Sequence, residues 1–122
     1  MLELRNVSKT YQGRRDRVEA LQQVSLCLES GMLATLQGPS GCGKTTLLLA
    51  AGGLLEPDAG KALVSKTDLY ALTPERRARF RAANIGFVFQ QFHLVPYLNV
   101  LDNLRVPGLA LAAAGAAADT KR

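Results

Sequence analysis

The chain has 122 residues, of which 48% are hydrophobic and 20% charged, and its mean hydropathy is +0.05. These values fit one small globular domain, so they exclude both wholesale disorder and two independent domains. Lysine and arginine outnumber aspartate and glutamate by a net charge of +5, and the excess is concentrated at Arg14, Arg15, Arg17 and at Arg76, Arg77, Arg79, Arg81.

The sequence predicts a protein of the reducing cytoplasm. No apolar stretch reaches the roughly 20 residues that a membrane-crossing helix needs, and no signal-peptide segment follows a basic start. Cys27 and Cys42 form no C-x-x-C pair, so neither a disulfide framework nor a zinc site is indicated. The arginine run fits a solvated helix face better than a nucleic-acid site, because Phe80 is the only aromatic residue within it.

The first third of the chain predicts β-structure. Apolar and polar residues alternate over residues 2–7 and again over 24–28, which is the period of a half-buried strand. Residues 32–36 are apolar on both faces apart from Thr35, a pattern typical of a strand in the middle of a sheet. The turn Glu29-Ser30-Gly31 predicts that 24–28 and 32–36 form an antiparallel pair.

The rest of the chain alternates between predicted helices and short strands. Good helix formers at 44–51, ended by Gly52-Gly53, predict a first helix, and a short strand at 62–64 follows a turn at 57–60. A second helix is predicted from Thr73-Pro74-Glu75 to about residue 83, because threonine caps helices and proline favours their first position.

The last third is predicted with less regular structure. Residues 85–89 read as a second buried strand, and the leucine spacing over 98–105 indicates a helix that Pro107-Gly108 interrupts. The alanine-rich residues 109–118 predict a frayed helix or disorder.

One motif carries chemistry. Residues 38–45 match G-x-x-x-x-G-K-[ST], the phosphate-binding loop, between a predicted strand and a predicted helix. Its glycines let successive N–H groups point inward at the amino end of a helix, while Lys44 would reach the β and γ phosphates and the Thr45 hydroxyl would bind Mg²⁺. The predicted phosphate-binding residues are Gly38, Pro39, Ser40, Gly41, Cys42, Gly43, Lys44, Thr45 and Thr46.

Four segments together resemble the amino-terminal half of an ABC transporter ATP-binding domain. They are residues 4–11, 38–46, 54–60 and 85–90, and the resemblance holds in order and spacing from residue 2 to about 107. Residues 89–96, with Asn99-Val100 and Asn103 after them, are similar to the lipoprotein-release and macrolide-export type. The resemblance implies an α/β, P-loop NTPase fold that is incomplete: an amino-terminal antiparallel β part plus the strand, P-loop and helix of the parallel core.

The resemblance also implies site residues and cofactors. Tyr11 matches the aromatic residue on which adenine stacks, and Gln90 matches the glutamine that touches Mg²⁺ and the attacking water. ATP and Mg²⁺ are thus the expected cofactors, with Lys44 and Gln90 as catalytic residues and Thr45 and Gln90 as metal contacts. From the residues alone, Tyr11 also fits an aromatic side chain facing the sheet, and Gln90 a solvated loop residue. His93 is predicted to pack near Phe92 and is not the switch histidine of the family.

Other elements of the family pattern do not occur in these 122 residues. They are the acidic metal ligand after an apolar strand, the adjacent glutamate, an L-S-G-G-Q-like signature and the switch histidine. We therefore expect residues 1–107 to be a partial ATP-binding domain and 108–122 an alanine-rich tail. The chain alone is expected not to turn over ATP and to be a truncated, split or deliberately shortened product.

The leading functional prediction is an ATP-binding subunit of an ABC transporter. The resemblance implies membrane-spanning permease partners, a second ATP-binding subunit as dimer partner, no nucleic acid, and a place at the inner face of the cell membrane. One alternative is a non-catalytic module that binds the permease coupling surface through residues 90–100. Another is a phosphate-loop enzyme of a different family, such as a small kinase.

Overall fold

The computed structural model describes residues 1–13 and 16–119. Arg14 and Arg15 of the first basic cluster, and residues 120–122 at the end of the predicted tail, lie outside the described residues. Contacts divide the chain into two compact units, residues 1–73 and the part that begins at Pro74. The predicted division at residue 107 remains a prediction.

The first unit contains a four-stranded antiparallel sheet in the order β2-β1-β3-β4. Its strands are β1 Leu2–Gln12, β2 Arg17–Leu28, β3 Ala59–Val64 and β4 Thr67–Asp68. The central strand β1 pairs with β2 on one side and with β3 on the other. The strands predicted at 2–7, 24–28 and 62–64 are confirmed as parts of β1, β2 and β3, and each observed strand is longer than the predicted one.

An irregularity in β1 keeps its apolar residues on the buried face. Leu4 and Val7 are both buried although they are three positions apart, because Asn6 adopts a left-handed conformation with φ 50° between them. Side chains replace the interrupted ladder bonds, since the Asn6 N–H donates to the Ser25 hydroxyl at 2.8 Å. The Asn6 N–H therefore keeps a hydrogen-bond partner although the strand ladder is interrupted there.

The α-helix α1 Lys44–Ala51 contacts β1, β2 and β3, and a short 3₁₀-helix, Leu69–Ala71, contacts β3. Helix α1 begins and ends where the sequence predicts, and Gly53 follows with the left-handed φ of 72° that is common after helices. The hydroxyl of Tyr70 lies 2.7 Å from the Ala50 carbonyl and 2.5 Å from that of Leu55, which fixes the carboxyl end of α1. Among the described residues the buried hydrophobic side chains are Leu4, Val7, Leu21, Leu47, Ala50, Ala62 and Leu69.

The strand predicted at residues 32–36 is wrong. These residues form no strand and are all exposed, with Leu33 at 97%, and β2 takes β1 as its antiparallel partner instead. The turn before them is present, since the Met32 N–H donates to the Glu29 carbonyl at 3.3 Å. A sheet-centre strand needs a hydrogen-bonded neighbour, and within residues 1–13 and 16–119 no strand pairs with this segment.

The second unit contains α2 Pro74–Asn84 and α3 Val100–Asp119, which pack against each other. The predicted start of α2 is confirmed. The strand predicted at 85–89 is wrong, because this segment has no regular secondary structure and no paired neighbour in the described part, and Val88 is fully exposed. The predicted break at Pro107 is also wrong, because α3 continues through this residue. A proline inside a helix removes one N–H donor but does not always end the helix.

The arginine run of α2 is spread around the helix. Arg76 and Arg79 are exposed, whereas Arg77 and Arg81 are half-buried, so the run does not form one exposed basic stripe. In the portion of the chain that the structure covers, none of the helices has the length and apolar content that a bilayer crossing requires.

Candidate phosphate-binding site

The glycine loop reaches α1 through backbone conformations that only glycine adopts easily. Gly41 has φ 81° and Gly43, the residue before α1, has φ 91°. A Cβ atom on Gly43 would collide with the backbone oxygen of Ala20 in β2. The loop therefore lies directly against the sheet, and glycine at position 43 permits that approach.

The ammonium group of Lys44 bonds back to the first residues of the glycine loop. It donates to the carbonyl oxygens of Gly38 at 2.8 Å and Pro39 at 2.6 Å, and it lies 3.6 Å from Sγ of Cys42. These partners are neutral, so an anionic phosphate oxygen would be a stronger acceptor for the same cation. Lys44 thus bonds back to the start of the loop that the sequence predicts to bind phosphate.

The amino end of α1 fits an anion. The Leu47 N–H donates to the Gly43 carbonyl at 2.8 Å, and the amides before it in the first turn have no acceptor within the helix. The first turn carries no acidic side chain that would repel a phosphate. Ser40, Gly41 and Thr45 are exposed beside these amides, so the residues present fit a nucleotide phosphate.

Tyr11 lies next to the P-loop helix. It is the second-last residue of β1, its residue exposure is 42%, and its hydroxyl is 3.4 Å from Oγ1 of Thr46. The structure therefore brings Tyr11 to Thr46 in the first turn of α1, although the two residues are 35 positions apart in the sequence.

Asp58 is a residue of this region that no sequence motif indicated. Its carboxylate accepts from Nζ of Lys9 at 2.7 Å and from the N–H of Thr10 at 2.7 Å, and its own N–H donates to the Ser8 carbonyl at 2.9 Å. The sequence indicated only a turn at this position. No local pattern could identify partners 48 residues away along the chain.

The pKa of Asp58 gives a prediction for acid stability. The hydrogen bond from Lys9, followed by that from the Thr10 N–H, holds this pKa below its usual value. The charged form is the one stabilised, so the contribution is complete above the ordinary pKa of about 4 and is lost as the pH falls through the lowered pKa. We expect the melting temperature of the chain to exceed that of Asp58→Asn at pH 6, with the difference shrinking progressively below about pH 4. Thermal melts followed by circular dichroism at stepwise lower pH measure this difference in melting temperature. A difference that stays constant down to about pH 2 would contradict the prediction.

Gln90 lies in the second unit and is exposed. It follows a pair of stacked rings, Phe87 and Phe89, whose centroids are 5.5 Å apart. The His93 ring meets Phe89 edge-on at 5.1 Å, so its aromatic partner is Phe89, while Phe92 is 89% exposed. The metal and water contacts of Gln90 remain predictions.

Asn103 of α3 holds the segment that follows this loop. Its side-chain oxygen accepts from the Val95 N–H at 2.8 Å, and its amide nitrogen donates to the Leu98 carbonyl at 3.0 Å. Asn99 caps α3 by accepting from the Asp102 N–H at 2.9 Å.

Over residues 1–13 and 16–119, no group of three or more histidine, cysteine, aspartate or glutamate side chains is placed to hold a metal ion.

Comparison with known proteins identifies relatives of this fold and loop. The family described as "ABC transporter" matches residues 21–122. "Lipoprotein-releasing system ATP-binding protein LolD 1" of Rhodopirellula baltica is 43% identical over 110 residues, which is 90% of this chain and 48% of that protein. "Macrolide export ATP-binding/permease protein MacB" of Salmonella typhimurium is 35% identical over 109 residues, 89% of this chain and 17% of that protein.

Solved structures that resemble this chain are also ATP-binding cassettes of ABC transporters. The ATP-binding cassette MJ0796, from Methanocaldococcus jannaschii, was solved as a dimer in a post-hydrolysis state bound to ADP and Pi. It matches with a TM-score of 0.84 and 37% identity over 89% of this chain and 47% of that one. The predicted P-loop NTPase fold is therefore confirmed, and this chain spans about half the length of the ATP-binding relatives it matches.

Proposed function

This chain belongs to the ABC transporter family, and we propose that it acts as an ATP-binding subunit of the lipoprotein-release and macrolide-export type, binding MgATP through residues 38–46. One observation carries the proposal: Lys44 is folded into a glycine loop at the amino end of α1, with Tyr11 beside the same helix. Cation, free helix amides and an exposed aromatic ring are the groups that the phosphates and the base of a nucleotide need.

Each residue has a defined role in this proposal. The amides of the loop and of the first turn of α1 bind the phosphates, and Lys44 exchanges its carbonyl partners for phosphate oxygens. The exposed Thr45 hydroxyl binds Mg²⁺, and the Tyr11 ring stacks on adenine. Bound MgATP supplies the phosphoryl bond whose hydrolysis powers transport in this family. Gln90 is proposed to contact the metal and the attacking water during that reaction.

The second unit supports a proposal about partners. Large apolar side chains are exposed there on and around the loop that carries Gln90, namely Val88, Phe92, Leu94, Tyr97, Val100, Leu101 and Leu104. Exposed apolar surface of this kind is typical of protein interfaces. We infer membrane-spanning permease subunits as the partners, at the inner face of the cell membrane, with a second ATP-binding subunit completing a dimer.

The same exposure favours the alternative of an interaction module at the permease coupling surface, whereas a phosphate-loop enzyme of another family is excluded by the family match.

A direct titration tests nucleotide binding. Isothermal calorimetry of the 122-residue chain with MgATP is expected to give saturable binding, and prior saturation with magnesium tripolyphosphate should remove it because both ligands need the same amides and Lys44. Saturable ATP binding that tripolyphosphate cannot displace would place the nucleotide elsewhere. The absence of any saturable signal would leave the interaction module as the better interpretation.

A further inference from the structure

We propose that Asp58 is a positioning residue that sets the place of Tyr11 beside the P-loop helix; this rests on the proposed binding of ATP. The region after α1 thereby contributes to recognition of the base, although it contributes no group to the loop itself.

The first step is how β1 is held near its end. The pairing of β1 with β3 ends at Ser8 opposite Ala59, and beyond it β1 pairs only with β2. The Thr10 N–H would then lack a strand partner on the β3 side. The Asp58 carboxylate takes that place by accepting from it at 2.7 Å.

The second step is that the carboxylate is itself fixed. Its other oxygen is 2.7 Å from Nζ of Lys9, whose side chain is only 17% exposed, and the Asp58 N–H bonds to the Ser8 carbonyl. The Asp58 side chain is 47% exposed, so solvent partly screens this charge-assisted bond, and the Thr10 and Ser8 contacts share in holding the residue. Three contacts therefore fix Asp58 against three consecutive residues of β1.

The third step connects this clamp to the loop. Tyr11 directly follows Thr10, and its hydroxyl is 3.4 Å from Thr46 in the first turn of α1. Tyr11 therefore lies between two fixed points: Thr10, whose N–H bonds to Asp58, and Thr46 in α1.

The substitution Asp58→Asn separates this role from a general effect on folding. An amide has one acceptor oxygen, so the substituted side chain would satisfy either Lys9 or Thr10 but would face the other with an NH₂ group. Glu3→Gln is the matched control, because it removes the same charge from an ion pair with Arg5, 2.7 Å long, at the opposite end of β1.

We expect Asp58→Asn to weaken MgATP binding about fivefold to tenfold, part of the contribution of one stacked base, in isothermal calorimetry at pH 7. Magnesium tripolyphosphate has the phosphates but no base, so its affinity should change by less than about twofold, as should both affinities of Glu3→Gln. In a Tyr11→Ala background, Asp58→Asn should add less than about twofold to the loss of ATP affinity, because the residue through which it acts is absent.

Several results would overturn the inference. Unchanged ATP affinity in Asp58→Asn, an equal loss for ATP and tripolyphosphate, or a full additional loss in the Tyr11→Ala background would each do so. If Asp58→Asn does not fold, Lys9→Met keeps the Thr10 bond and should give a smaller loss that is still specific for ATP, and no such loss would also overturn it. Failure of the unsubstituted chain to bind MgATP would refute the proposed function itself. That outcome differs from normal MgATP binding whose affinity does not change in Asp58→Asn, which would refute only the role of Asp58.

Discussion

Lys44→Ala is expected to remove measurable MgATP binding, with an affinity loss of more than about 100-fold, since a hydrogen bond to a charged group contributes roughly 1.5–3 kcal/mol and this ammonium has more than one phosphate oxygen to bind. The loop carries no second cation to replace it: the residues from Gly38 to Thr46 include one lysine and no arginine. The measurement is a calorimetric titration at fixed ionic strength, because exposed charges are screened by salt.

Lys66→Ala is the matched control for that experiment. It removes one positive charge from an exposed turn between β3 and β4, away from the glycine loop. Its affinity for MgATP should stay within about twofold of the unsubstituted chain, since a distant exposed charge acts only through the screened field. Binding by Lys44→Ala within about threefold of the unsubstituted chain would refute the assignment of the loop, because the charge-assisted bonds would then contribute almost nothing.

Gly43→Ala is expected to destabilise the first unit by more than about 2 kcal/mol and to abolish nucleotide binding with it. Two costs add at this position. The left-handed φ of 91° is unfavourable for alanine, and the new Cβ would collide with the Ala20 backbone oxygen, which cannot move without distorting β2. Thermal melts followed by circular dichroism measure the first effect.

Gly41→Ala isolates the two costs, because Gly41 has a similar φ of 81° but nothing within 4 Å of a Cβ atom. This substitution should lower the free energy of unfolding by only about 1–2 kcal/mol, which is the cost of the left-handed conformation itself. Equal destabilisation by the two substitutions would show that the close approach of the loop to β2 does not contribute to stability.

Local sequence patterns predicted the parts of this protein whose cause is local. The G-x-x-x-x-G-K-[ST] spacing located the loop, and the Thr73-Pro74-Glu75 sequence located the start of α2 within a residue. Both depend on backbone preferences and caps that neighbouring residues determine.

The two strand predictions that failed depend on partners distant in the chain. Residues 32–36 and 85–89 have the composition of buried strands, but composition cannot provide the neighbouring strand that a ladder requires, and in the described residues both segments remain unpaired. Asp58 was missed for the same reason: its turn chemistry is local, whereas its contacts with Lys9 and Thr10 depend on how β1 and the end of α1 come together.

The carbonyl contacts of Lys44 have a consequence for the thermodynamics of ligand capture. The hydrogen bonds of Lys44 to the Gly38 and Pro39 carbonyls already restrict the loop before a ligand binds. A triphosphate that binds would replace the carbonyl acceptors of a cation that is already in position, and the loop would not have to become ordered on binding. We therefore expect a small entropic penalty of binding and a fast association rate.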